Sequence, residues 1–233
     1  MSATWGAVVL CMGLFGTDPL HFPSSATIRR DELRGTVRWA EAVDLAAGLE
    51  DDPAVQAARK ANDPGGLILA VLAARRQSLG LQAPPQELLV FAVEPDPLGG
   101  VRVRLRQQHH DVPIEGAELS AQIDAQQRFH LLSGRYVRTP TQTDVQPKLD
   151  AVTAIATAAT AAGVAVRALH TPQTVIVWYP DDRGAVRLAY RVTVDVDLVR
   201  KEQIFVDAMN GALIARVPTS VSIGPGTGGI VGP

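Results

Sequence analysis

The chain has 233 residues, of which 46% are hydrophobic and 20% are charged, so its composition is that of a folded globular protein. Its 22 basic and 24 acidic side chains give a formal net charge of -2, with no basic stripe and few aromatic residues, which argues against nucleic acid as a partner. The single cysteine, Cys11, excludes an intramolecular disulfide framework.

An apolar stretch at residues 5–16 lies near the start of the chain. It is too short to span a bilayer, so we predict no stable membrane span. Its length suits the apolar centre of a secretion signal within residues 1–20. No Lys or Arg precedes the stretch, so a misassigned start or an ordinary buried segment is left open as an alternative.

Two Asp-Pro pairs predict successive helices. Asp52 before Pro53 is typical of an N-cap followed by proline in the first helical turn, and this helix is expected to run to about residue 61. Asp63 and Pro64 begin a second helix, in which apolar residues recur at helical spacing up to residue 79. Gly80 then predicts a left-handed stop.

A series of strands follows and is expected to cover the apolar face of the second helix. Residues 88–93 form an apolar run, and in residues 101–106 Val or Leu alternates with Arg, which indicates a half-exposed strand. Alternation at residues 119–123, a turn at 124–127 and a strand at 128–138 complete an antiparallel meander packed on helices.

A second unit is predicted after a polar, proline-containing linker at residues 140–148. Asp150 caps a helix that ends at Gly163 and carries Val152, Ile155, Ala159 and Ala162 on one side. Strands are expected at residues 174–179, 186–194, 203–207 and 212–217. Between the last two strands, Asn210 and Gly211 predict a tight primed turn with positive φ at both positions.

The predicted fold class is therefore α+β, with two small domains, each an antiparallel sheet packed on one or two helices, followed by an extended tail. The predicted divisions are a leader at residues 1–46, a first domain at 47–139, the linker at 140–148, a second domain at 149–217 and the tail at 218–233. The tail is too rich in Gly and Pro to hold a regular element.

We predict no catalytic, cofactor-binding or metal-ligating residues. The sequence has no HExxH pair of metal ligands and no GxSxG nucleophile motif. His109, His110 and Asp111 could be gathered around a metal by a turn, but turn histidines without further ligands at recognised spacing are usually inert.

The first unit resembles the fungalysin/thermolysin propeptide (FTP) domain. The family pattern of a glutamine followed by an apolar-Pro-apolar turn ending in glycine is met by Gln107, Val112, Pro113, Ile114, Gly116 and Glu118. The chain departs from the pattern at His109, where an aromatic residue is typical, and at Asp111, where glycine is typical.

The second unit resembles the PepSY domain, which accompanies the FTP domain ahead of secreted thermolysin-like metalloproteases. The family pattern is met by Leu188, Ala189, Tyr190, Phe205, Val206, Asp207, Ala208, Gly211 and Leu213. Across both units the structural motif residues are Gln107, Pro113, Gly116, Tyr190, Asp207, Asn210 and Gly211. The tail resembles a junction between propeptide and mature enzyme, and the tail residues expected to contact a partner are Ile223, Gly226, Thr227, Gly228, Ile230 and Val231.

This resemblance implies a non-catalytic, propeptide-like protein. Such a protein binds and inhibits a thermolysin-like zinc metalloprotease, keeps it as a zymogen and assists its folding as an intramolecular chaperone. It also implies that the chain is secreted or lies in the cell envelope. The alternative is a stand-alone FTP/PepSY binding module of the cell envelope with another partner.

Overall fold

The structure, a computed structural model, describes residues 25–32, 34–97, 99–166, 172–195 and 201–219. Over these residues the chain is mixed α+β, as predicted. The helices are α1 Pro53–Lys60, α2 Pro64–Ala74, α3 Arg76–Leu79, α4 Pro84–Glu87 and α5 Ala151–Ala162. The strands are β1 Thr27–Arg30, β2 Val37–Glu41, β3 Leu88–Pro95, β4 Val101–His109, β5 Val112–Ile123, β6 Phe129–Gly134, β7 Gln173–Pro180, β8 Val186–Asp195, β9 Lys201–Asp207 and β10 Leu213–Pro218.

Two antiparallel groups of strands share β5. The first group has the order β1-β2-β6-β5-β4-β3, and the second group has the order β7-β8-β9-β10. They meet where Ile114 of β5 pairs in parallel with Trp178 of β7. Side chains from α1, α2 and α3 pack on one face of the first group, and α5 packs on one face of the second. The described residues therefore form two main hydrophobic cores joined through one strand.

Aspartate caps begin three of the helices, as the sequence predicts. Asp52 accepts hydrogen bonds from the backbone N–H groups of Ala54 and Val55, and Asp63 accepts one from Gly66. Asp150 caps α5 by accepting from the backbone N–H of Thr153. A side chain that satisfies these otherwise unpaired N–H groups stabilises a helix by about 1 kcal/mol.

The predicted helix from Pro64 to residue 79 is interrupted at Arg75. The backbone of Arg75 has φ -99° and ψ 14°, so the chain turns there before α3 begins. The Arg75 side chain is only 1% exposed, and its guanidinium donates to the carbonyl of Leu45 at 2.9 Å and to the carbonyl of Ala47. Arg75 therefore ties the irregular segment between β2 and α1 to the helices.

The predicted apolar side of α5 is partly wrong. Val152 is 74% exposed, whereas the buried side consists of Ala154, Ala158, Ala159 and Ala162. The physical reason is that the sheet surface under α5 carries the bulky Trp178 and Tyr190 side chains. Only small side chains such as alanine fit between the helix and that surface. Gly163 ends α5 in the left-handed conformation, as expected.

The primed turn predicted at Asn210 and Gly211 is also wrong, although the hairpin itself is present. Only Gly211 has positive φ, because the Asp207 carboxylate accepts the N–H groups of Met209 and Asn210 and bends the chain into a longer connection. The structure instead has two consecutive positive φ angles, 49° and 62°, at His110 and Asp111 between β4 and β5. That pair forms the tight primed turn.

Strand β6 is shorter than predicted and ends at Gly134. A side chain at Gly134 would place its Cβ 2.2 Å from the Glu118 carbonyl oxygen, and its φ of 131° is accessible only to glycine at low cost. Residues 140–148, the predicted linker, contain no regular element. The chain between β6 and α5 is therefore irregular, and the domain divisions remain a prediction.

We expect Arg75→Met to lower the free energy of unfolding by about 3 kcal/mol, because the buried carbonyls of Leu45 and Ala47 would lose their charged donor. Urea denaturation followed by circular dichroism measures this change. The control is Arg76→Met, since Arg76 is exposed and adjacent. Equal stability of the two variants would contradict the role given to Arg75.

Candidate partner-binding surface

The glutamine of the propeptide-like pattern in the first unit, Gln107, lies in the protein interior. Its side-chain amide donates to the Val137 carbonyl at 2.7 Å, and its side-chain oxygen accepts from the Val137 N–H at 2.8 Å. This pair of bonds reproduces a rung of a β-ladder for a segment that has already left the sheet. Gln107 therefore fixes the path of the chain after β6.

Gly116 divides β5 into two halves that serve different cores. Its φ is +65°, which is the left-handed region. Before it, Ile114 packs in the second core, and after it Leu119 and Ala121 pack in the first core. Ala117, immediately after Gly116, also belongs to the second core. The motif from Gln107 to Gly116 is thus the joint between the two cores.

The remaining motif residue of the first unit, Pro113, lies in the half of β5 next to this joint. Pro113 is half-buried and is paired with Gln108 of β4. The indole N–H of Trp178, from β7, donates to the His109 carbonyl at 3.0 Å and closes the joint from the other side. Pro113 has no N–H to donate to a neighbouring strand. It can occupy this position because β7 pairs with β5 at the adjacent Ile114.

The motif residues of the second unit hold the start of α5. The Tyr190 hydroxyl donates to the Leu149 carbonyl at 2.7 Å. A side chain at Gly211 would place its Cβ 3.0 Å from a methyl carbon of Leu149, so the hairpin lies directly against that residue. Asn210 accepts from the Ala212 N–H and closes the turn that Asp207 begins. These residues hold the hairpin and the start of α5 in place and do not form a binding surface.

The tail residues expected to contact a partner are Ile223, Gly226, Thr227, Gly228, Ile230 and Val231, and all of them lie outside the described residues. The last described residue, Thr219, donates through its N–H to the Lys201 carbonyl at 2.8 Å. The chain up to Thr219 therefore follows the strand pairing of β10 with β9.

The face of the first strand group opposite its helices carries exposed apolar side chains. On β3, Leu89 is 52% exposed and Phe91 is 37% exposed. The Arg104 and Arg106 guanidinium carbons lie 4.9 Å and 4.7 Å from the centre of the Phe91 ring. Both arginines also pair with Glu118, at 3.4 Å and 3.2 Å. We call Leu89, Phe91, Arg104, Arg106 and Glu118 the β3–β4 patch.

This patch was not apparent from the sequence. The continuous apolar run at residues 88–93 did not show which side of β3 would be covered, and a register shift at Phe91 turns it outward beside Arg104. The alternating arginines of β4 were the one available signal, since a strand with a charged face has one uncovered side.

The histidine turn does not gather metal ligands. His109 is half-buried, and its Nε2 lies 3.0 Å from the Gln142 carbonyl oxygen, while His110 and Asp111 are exposed. Within the described part of the chain, no group of three His, Cys, Asp or Glu side chains is placed to hold a metal ion. Among the same residues, no helix is both long and apolar enough to cross a membrane.

A family model matches part of the first unit. Residues 86–136 match the family described as "Fungalysin/Thermolysin Propeptide Motif". The match confirms the propeptide resemblance in this segment, which contains Gln107, Pro113 and Gly116. It lies inside the predicted first domain and ends before the second unit. Among curated proteins, none matches the chain significantly.

Two solved structures are similar over much of the chain. The Bacillus megaterium YpeB C-terminal domain is 12% identical with a TM-score of 0.35, and the alignment covers 82% of this chain and 74% of that one. A "putative lipoprotein" from Clostridium difficile 630 is 12% identical with a TM-score of 0.24, and the alignment covers 57% of this chain and 82% of that one. Both scores lie below 0.5, the level under which two chains need not share a fold.

We expect Gln107→Leu to lower the free energy of unfolding by about 2 to 3 kcal/mol, because the buried N–H and carbonyl of Val137 would both lose their partner. Urea denaturation monitored by tryptophan fluorescence measures this loss. Gln108→Leu is the matched control, because Gln108 is the next residue of β4 and its side chain is only half-buried. A loss that is no larger for Gln107→Leu than for the control would contradict the assigned role.

Proposed function

We propose that this chain is a non-catalytic, propeptide-like protein that binds and inhibits a thermolysin-like zinc metalloprotease and assists its folding. The observation that carries the proposal is the match of residues 86–136 to the fungalysin/thermolysin propeptide motif. Propeptides of this class act on proteases that are exported, so the chain is secreted or lies in the cell envelope. The partner is the protease itself, held as a zymogen.

The β3–β4 patch is the surface that we assign to the protease. Aromatic and arginine side chains contribute most of the binding energy at protein interfaces, and in the patch the Phe91 ring is already in contact with two arginines before any partner arrives. The guanidinium groups restrict the ring, which lowers the entropy lost on binding. Within the described part of the chain β3 pairs with β4 alone, so we assign its other edge to an extended segment of the partner.

The tail at residues 218–233 is the second element of the proposed interaction. Its Gly and Pro content favours an extended conformation, and an extended chain can lie in a protease cleft as a substrate does. The residues assigned to this contact are Ile223, Gly226, Thr227, Gly228, Ile230 and Val231. The tail and the β3–β4 patch would then act as two linked contacts on one enzyme, which strengthens binding beyond either one.

The test is inhibition of peptide hydrolysis by a purified thermolysin-like protease at increasing concentrations of the full chain. We expect saturable inhibition, and we expect the chain added during refolding of the denatured protease to increase the recovered activity. Unchanged hydrolysis across the micromolar range, for a panel of such proteases, would sink the proposal.

Phe91→Ser should weaken inhibition about 30-fold, which corresponds to about 2 kcal/mol for a central aromatic contact. The inhibition constant is the measurement. Val152→Ser is the control, because Val152 is equally apolar and more exposed but lies on α5, away from the β3–β4 patch. If both variants inhibit as well as the unaltered chain, the patch is not the protease contact.

Removing residues 220–233 distinguishes a propeptide from a stand-alone binding module. The deletion leaves every described element in place. For a propeptide, we expect the inhibition constant to rise at least tenfold because one of two linked contacts is lost. Full inhibition by the truncated chain would show that the tail takes no part, as expected for a module that binds through its sheets alone.

A further inference from the structure

Three arginines converge where the two strand groups meet. Arg34 lies in the turn between β1 and β2, Arg38 lies in β2, and Arg135 follows the end of β6. Strands β2 and β6 are antiparallel neighbours in a register that pairs Trp39 with Ser133, so Arg38 and Arg135 lie at the same end of the pair. Arg34 reaches across to the second group, donating to the Asp181 carbonyl at 3.1 Å.

Several acidic side chains near these arginines already have partners. Asp31 pairs with Arg34 at 3.3 Å and also accepts the Arg34 backbone N–H. Glu115 pairs with Arg191 at 2.9 Å. Glu118, whose backbone carbonyl accepts the Arg135 N–H, has its carboxylate on the β3–β4 patch. Asp181 accepts the N–H groups of Arg183 and Ala185 with its carboxylate, and Asp182 beside it is exposed. Among the described residues, none of these carboxylates forms an ion pair with Arg135.

Arg135 has no partner for its charge among the residues that the structure describes. Its side chain is half-buried and forms neither a hydrogen bond nor an ion pair with any of them. Burial, and next the positive charge of Arg34, lower the pKa of the Arg135 guanidinium. A guanidinium in such surroundings is stabilised by an anion, because buried charges in proteins are normally paired.

The Arg34 side chain shows the same shortage of acceptors. It is 12% exposed, and its Nε is buried without a hydrogen-bond acceptor among the described residues. A buried donor left without a partner costs about 1 to 3 kcal/mol. Two adjacent arginines thus both have unused donor capacity.

We propose that the junction lined by Arg34, Arg38 and Arg135 binds a carboxylate group. Arg135 lies over Gly116, with one terminal nitrogen 3.5 Å from where a Cβ would be, so Gly116 itself places no side chain on that side of the guanidinium. The planar fork of a guanidinium matches a carboxylate with two parallel hydrogen bonds. The carboxylate comes either from an acidic side chain of a partner protein or from a free small molecule.

Acetate is the probe for the site itself. The full chain is titrated with sodium acetate at constant ionic strength, with sodium chloride as the balancing salt, and the Nε–Hε signals of its arginines are followed by NMR. We expect saturable shifts at Arg34, Arg38 and Arg135. Shifts that stay linear with acetate concentration, or no shifts at all, would overturn the proposal.

Variants separate this site from general anion effects. Arg135→Gln should weaken acetate binding about tenfold or more at the Arg34 and Arg38 signals, because one charged donor is lost. Arg128→Gln is the control, since Arg128 is exposed and already paired with Asp124 at 2.7 Å. Arg38→Gln, at an exposed position, is the second variant if Arg135→Gln does not fold. Equal affinity in all variants would also overturn the proposal.

The source of the carboxylate is decided by protease inhibition, an arm that rests on the proposed function. A tenfold rise in the inhibition constant for Arg135→Gln, with Arg128→Gln unchanged, identifies a carboxylate of the protease. Unchanged inhibition together with acetate binding identifies a free small carboxylate. If the unaltered chain does not inhibit any protease, the proposed function fails, and the acetate titration still decides the site.

Discussion

The structure depends on one strand, β5, taking part in two sheets. Its second half pairs with β4 and β6 and fills the first core, while Ile114 in its first half pairs with Trp178 and fills the second. The left-handed conformation of Gly116 lets one strand turn from one core to the other. Gln107 then holds the returning chain at Val137, which is itself part of the second core. The joint therefore belongs to the fold rather than to a loop between domains.

The propeptide motif coincides with this joint. Gln107, Pro113 and Gly116 all lie within residues 86–136, and each has a structural task in the interior or at the seam. A family pattern made of such residues reports the architecture more directly than it reports the partner. The surfaces suited to a partner lie elsewhere, on the exposed face of β3 and β4 and at the arginine junction.

Local signals in the sequence were sufficient for most of the elements, but β1, β2 and α4 were not predicted. The Asp-Pro caps, Gly80 and Gly163 act within a few residues of where they stand, so the helix ends could be predicted closely. The two-residue alternation of β4 and β8 gave strands at nearly the observed positions. The failures included Val152 and the Asn210 turn, where a packed neighbour and a competing Asp207 carboxylate decided the outcome. The break at Arg75 and the early end of β6 at Gly134 were also missed. The candidate surfaces could not be predicted, because Arg34, Arg38 and Arg135 are brought together by strand pairing.

The shared strand β5 also determines how the molecule responds to cleavage and to unfolding. A cut within residues 140–148 would separate α5 from Ile114, Ala117 and Val137, which lie earlier in the chain but complete the same apolar cluster. Either fragment would then present a face that the intact molecule keeps from water. Unfolding of one half should consequently destabilise the other, so thermal unfolding is expected as a single cooperative transition. For the same reason, neither half is suited to independent expression.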